Sequence, residues 1–221
     1  MRPEHTSLLH TRYISERIRE TLRAVRNHAM TSVVAPMGYG KTTAINWYLE
    51  NEKKSIDAIV LRISIYSDNL IMFWRQFQKA FAATEIADSV SKMDFPDTKA
   101  GLFFFMEMME DYLNKCHRVH YIFIDDYHLL MHPAVTRFFT VISAHAPDCL
   151  HIIVASRNVF ISHSSVVELG NRLYLISKAD LSLNYTELSS YCRLCGVKLD
   201  VMNLKRFTRY QRAGFPVSIC V

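Results

Sequence analysis

Residues 35–42 read APMGYGKT. They follow the phosphate-loop pattern G-x-x-x-x-G-K-[ST] at every fixed position except the first, where Ala35 replaces glycine. In such a loop successive backbone N–H groups converge on an anion, and the helix that follows turns its positive end toward the same charge. Gly38 and Gly40 supply the backbone freedom and close approach this needs. Lys41 is placed to reach β- and γ-phosphates, Thr42 to offer a hydroxyl to Mg²⁺, and Thr43 to contact an α-phosphate. Met37 and Tyr39 fill variable positions, Tyr39 within the binding segment itself.

Phosphoryl chemistry of this kind also needs an acid at the end of a neighbouring strand, because Mg²⁺ takes only one or two protein oxygens. The run YIFIDD at 121–126 provides it. Asp125 is the expected Mg²⁺ ligand and Asp126 the candidate for orienting an attacking water, although spacing alone leaves the division between them open. The competing reading is a strand-end pair that caps the next helix. Arg157 closes the apolar run IIVASR, on the edge where open α/β sheets bind ligands, and its fork suits a γ-phosphate. Lys41, Asp126 and Arg157 form the expected catalytic set. No N-K-x-D segment stands where guanine would be read, so adenine is the expected base.

These residues need a framework. Ile14, Ile18, Leu22 and Val25 recur at three and four, which predicts a helix over 12–27. The run MTSVVAP is a β-branched strand ending at the loop, and a helix from Thr42 to about Lys53 follows it. Further strands are expected at 56–65, 119–126 and 149–157, with a fifth in NRLYLIS. Helices lie between them, with stripes Phe73/Phe77/Phe81 and Leu102/Phe105/Met109/Tyr112 read as core. The expected fold class is α/β, a P-loop NTPase with a three-layer parallel sheet flanked by helices. From Asp180 the pattern changes to short helices, Asn184 and Glu187 forming a capping pair and Gly196 a stop. The expected division is a nucleotide-binding domain at 1–178 and, at 179–221, the beginning of a helical lid. The apolar end GFPVSICV suggests a chain cut from a longer one.

Of the 221 residues 50% are apolar and 21% charged, which excludes disorder. No apolar run reaches the roughly 18 residues of a membrane helix, and five cysteines suit a reducing compartment. A cytoplasmic protein without membrane contact is expected. The net charge of +5 is diffuse and reads as solvated helix faces.

With these segments in view the chain resembles the nucleotide-binding module of the MalT-type, LuxR-family transcriptional regulators, members of the STAND class of signal-transduction ATPases. The resemblance rests on APMGYGKTT, FWRQFQKAF, IDDYHLL, IVASR and LSLNYTELSSYCRLCGVKLD...RAGFPVSI, and so covers nearly the whole chain. It implies a switch that holds ADP at rest, exchanges it for ATP, self-associates, and resets by slow hydrolysis. It also implies that Pro216, in Gly214-Phe215-Pro216, lies against adenine, and it suggests a weaker match at Arg12. DNA would be bound only through a C-terminal domain beyond this sequence.

Other constellations carry less. Cys192 and Cys195 form C-x-x-C without a second pair, which reads as two small residues facing a core. His128 follows the acids closely enough to touch a ligand, but reads first as a structural hydrogen-bonder. The alternatives to a switch are a self-standing P-loop ATPase or small-molecule kinase, and an interaction domain with a vestigial loop.

Overall fold

The computed structural model describes residues 13–196. Helix α1 (Glu16–Arg23) starts where the Ser15 hydroxyl accepts from the Ile18 N–H, and it passes into a 3-10 turn at Ala24–Asn27. It begins four residues later than its apolar spacing predicts, because the cap and not the stripe sets the start. Strand β1 (Met30–Val34) leads through the glycine loop to α2 (Lys41–Ile56), which ends at Asp57 with φ 52°. That longer helix leaves only Ile59–Ser64 for β2. Then come α3 (Leu70–Ala80), α4 (Ala87–Ser91), α5 (Lys99–Cys116) and β3 (His120–Asp125). The chain continues with α6 (Pro133–His145), β4 (Leu150–Ser156), α7 (His163–Leu169) and β5 (Leu173–Ser177). Two short helices, α8 (Lys178–Leu181) and α9 (Tyr185–Leu194), close the described chain. Helices α4 and α7 lie in segments whose short apolar spacing carries no periodic signal.

All five strands run parallel in the order β2-β3-β4-β1-β5. This corrects the expectation that the acidic strand neighbours the loop strand: β4 lies between them. Strand alternation builds two cores. On β3, Ile122 and Ile124 join one cluster with Phe73, Phe77, Phe105 and Phe138, while Tyr121 and Phe123 join the other with Leu22, Ile45 and Leu49. Helices therefore cover both faces in three layers, and both predicted stripes are core. Cys192 and Cys195 are buried and unbonded to each other, as a core-facing pair would be. Among the described residues no helix is long and apolar enough to cross a membrane.

The short C-terminal helices are tied back to α1 by Arg17. Its Nε and one terminal nitrogen each lie 3.1 Å from a Glu187 carboxylate oxygen, and the fork also donates to the carbonyls of Asp180 and Ser182. Burial pushes the Glu187 carboxyl up, but hydrogen bonds from Arg17, the Asn184 N–H and Ser15 outweigh it and hold the group below its ordinary value. A carboxyl depressed in the folded state stabilises above its unfolded pKa and loses that contribution as pH falls through its folded pKa. Glu187→Gln is expected to lower stability by about 1–2 kcal/mol near neutrality. Melting curves from about pH 6 down to about pH 3 should show the difference shrinking with acid; a constant difference would remove the ion pair as its cause.

Candidate functional site

Strand order brings the candidate residues to one edge. The carboxyl ends of β3, β4 and β1 lie side by side, so Asp125, Arg157 and the glycine loop face the same space. Gly38 (φ 85°) and Gly40 (φ 72°) both occupy the left-handed region. A Cβ on Gly40 would meet no atom within 4 Å, so it is the backbone angle that requires glycine there. Both glycines are exposed, as are Thr42 and Thr43, whereas Tyr39 is turned into the core beside Ala44 and Ile45. Only the backbone of Tyr39 therefore remains to face an anion.

Lys41 is buried at the first turn of α2. Its Nζ donates to the Ala35 carbonyl at 2.7 Å and the Pro36 carbonyl at 3.1 Å, which arches the ammonium back over the loop. Burial lowers its pKa; Asp125 and Asp126 oppose that, and Arg157 adds to it. The Asp126 N–H donates to Asp125 Oδ1 at 2.9 Å, and the Thr42 hydroxyl lies near the same carboxylate. Burial raises the Asp125 pKa, with Thr42, the Asp126 N–H and Lys41 working against it. Asp126 sits at φ 55°, ψ 35°, a conformation that aspartate tolerates better than most residues, and its side chain is half exposed. The next helical turn is the 3-10 segment Tyr127–Leu129, for which Asp126 is the N-cap residue without a side-chain cap bond, and α6 is capped by His132, so side-chain capping does not account for the pair. Arg157 is exposed and has no ion-pair partner among the described residues.

His128 departs from the expectation of a structural hydrogen-bonder. Its side chain is 9% exposed and its Nδ1 lies 3.7 Å from Asp126 Oδ1, beyond hydrogen-bond reach. Both ring nitrogens are buried without a partner among the described residues. Burial lowers its pKa, with Arg157 and Lys41 adding to the effect and the two acids opposing it, so the ring is neutral at pH 7. The only sequence signal for this is its place two residues after Asp126. A buried orphan costs stability unless something at the site uses it. His128→Leu is therefore expected to leave the melting temperature unchanged or higher. A variant that melts lower would make the histidine structural.

Thr42 and Asp125 lie near each other and offer two oxygen ligands, a donor set that fits a small hard cation. Asp126 and Arg157 both act electrostatically on the neighbouring Lys41. Pro216 and Arg12 lie outside the described residues.

The family model described as AAA domain matches residues 24–160, well over half of the chain. The chain belongs to the AAA domain family. That range spans the glycine loop, both acids and Arg157, so this AAA domain is a P-loop ATPase domain. Among solved structures it is similar to Cdc6p from Pyrobaculum aerophilum, with a TM-score of 0.52 and 15% identity over 85% of this chain and 52% of that one. It is also similar to the Walker-type ATPase of Pyrococcus abyssi, with a TM-score of 0.51 and 12% identity over 88% of this chain and 62% of that one. At such identities the likeness concerns the fold. The chain thus spans between half and two-thirds of the length of these two proteins.

Proposed function

We propose that the chain is an ATP/ADP-binding switch module, of the kind found in MalT-type LuxR-family regulators, in which slow hydrolysis returns an ATP-bound state to an ADP-bound one. The observation that carries the site is the buried Lys41 ammonium held over the glycine loop by the Ala35 and Pro36 carbonyls, at the strand edge that also presents Asp125, Asp126 and Arg157. Backbone N–H groups of 38–42 receive the β-phosphate and Thr43 the α-phosphate. Lys41 exchanges its carbonyl partners for phosphate oxygens and stabilises the charge that develops on transfer. Thr42 and Asp125 would hold Mg²⁺, which would supply charge neutralisation for the phosphates. Asp126 orients the attacking water and takes its proton. Arg157 holds the γ-phosphate by its fork and reports its loss.

On this reading α8 and α9 begin a helical lid from about residue 179, and Gly214-Phe215-Pro216 places Pro216 against adenine. The ATP state self-associates in the full protein, and DNA is reached only through a separate C-terminal domain. The switch reading and the self-standing ATPase or kinase reading differ in how firmly nucleotide is held. A switch retains near-stoichiometric ADP through purification, released on denaturation and identified by chromatography; an enzyme emerges empty and turns over continuously. Recovery of an empty protein that hydrolyses ATP at a sustained rate would overturn the switch.

A further inference from the structure

A second cleft opens at the opposite edge of the sheet. It lies where β1 and β4 begin, between the 3-10 turn at Ala24–Asn27 and the segment after α6, with a volume of about 480 Å³. This is within the range of small-molecule sites, about 300–1,000 Å³. Strand β4 is seven residues long, so roughly 20 Å of sheet separates the cleft from the glycine loop.

The lining is chemically mixed in a specific way. Arg26 is exposed and has no ion-pair partner among the described residues. Arg172 is held by the carbonyls of Ser143, at 2.9 Å from its Nε, and Ala146, which fixes its guanidinium at the cleft wall. Two histidines complete the set, and both commit Nδ1 to a backbone carbonyl. His28 Nδ1 lies 2.8 Å from the Ala24 oxygen, and His151 Nδ1 2.9 Å from the His28 oxygen. A carbonyl partner requires the proton on Nδ1, so Nε2 of each neutral ring is an acceptor. His151 is 5% exposed, and its ring is stacked on Tyr121, while His28 is stacked on Tyr174. The rings are thus clamped in orientation. The Asp148 carboxylate also lines the cleft.

Two guanidinium groups are donors only, while two Nε2 atoms and one carboxylate are acceptors. A bare anion satisfies the first group and is repelled by Asp148. A neutral polyol satisfies the second and leaves the arginines without a counter-charge. We propose that this cleft binds a small phosphorylated polyol, its phosphate on Arg26 and Arg172 and its hydroxyls donating to His28, His151 and Asp148. The assignment is independent of how nucleotide is used at the other edge of the sheet.

The test uses the whole chain and glycerol 3-phosphate, the smallest probe that carries both a phosphate and neighbouring hydroxyls. Long-range proton–nitrogen spectra of the imidazoles report binding at His28 and His151 themselves, so occupation of the glycine loop cannot imitate it. Saturable shifts of both rings are expected, with inorganic phosphate and glycerol each at least tenfold weaker. Arg26→Gln, at an exposed position, should fold normally and weaken glycerol 3-phosphate binding at least tenfold. Asp148→Asn should narrow the preference over inorganic phosphate. Absence of saturable shifts, equal binding of inorganic phosphate, or unchanged affinity in Arg26→Gln would each overturn the assignment.

Discussion

Lys41→Ala is expected to lower ATP and ADP affinity by two orders of magnitude or more. The ammonium is positioned over the loop by the carbonyls of Ala35 and Pro36, 2.7 and 3.1 Å away, and phosphate oxygens replace those acceptors on binding. Two charge-assisted hydrogen bonds, each worth about 1.5–3 kcal/mol, correspond to roughly a hundredfold or more in dissociation constant. Burial lowers the lysine pKa, but Asp125 and Asp126 oppose the effect, and an arriving triphosphate adds to their side. The loss should appear in calorimetric titration with Mg·ADP, and a circular-dichroism melt should show that the fold survives. Ordinary affinity in a folded Lys41→Ala protein would remove the loop from nucleotide binding altogether.

Asp126→Asn is the second large effect: hydrolysis should fall by about 10²–10⁴-fold with ATP affinity nearly kept. Asparagine suits the test because it too accepts the left-handed backbone found at φ 55°. It keeps the shape of the carboxylate and loses its basicity. Asp125→Asn should behave differently. That residue lies near the Thr42 hydroxyl, so its loss should weaken the Mg²⁺ dependence of binding before it affects the chemical step. Single-turnover hydrolysis, followed by separation of ADP from ATP, distinguishes the two. If Asp125→Asn abolished turnover with binding intact while Asp126→Asn hydrolysed at the native rate, the two roles would have to be exchanged.

Much of this is legible in the chain because it depends on local chemistry. Only glycine enters the left-handed region without strain, so Gly38 and Gly40 mark a loop with inward-facing amides. Lys41 and Thr42 follow at fixed offsets, and helix α2 begins on Lys41. The β-branched runs, the period of the phenylalanine stripes and the Asn184/Glu187 capping box identify their elements, since each is decided within a few residues.

What local chemistry does not encode is adjacency. Nothing in the order of strands along the chain says that β4 inserts between β1 and β3, which puts Arg157 between the loop and the acids. Nor does the spacing of the two acids distinguish them. Asp125 ends a buried strand near Thr42, while Asp126 turns through a left-handed angle into half-exposed space. His128 reads as an ordinary histidine until packing leaves both its nitrogens without partners among the described residues. The cleft around Arg26, His151 and Arg172 is drawn from segments more than a hundred residues apart in sequence. The strand, loop and helix suited to a phosphate are readable along the chain, because backbone angles and side-chain offsets are local properties. Which acid lies nearest Thr42, and where a second polar cleft opens, follow from the fold alone, because they depend on the order in which distant strands pair.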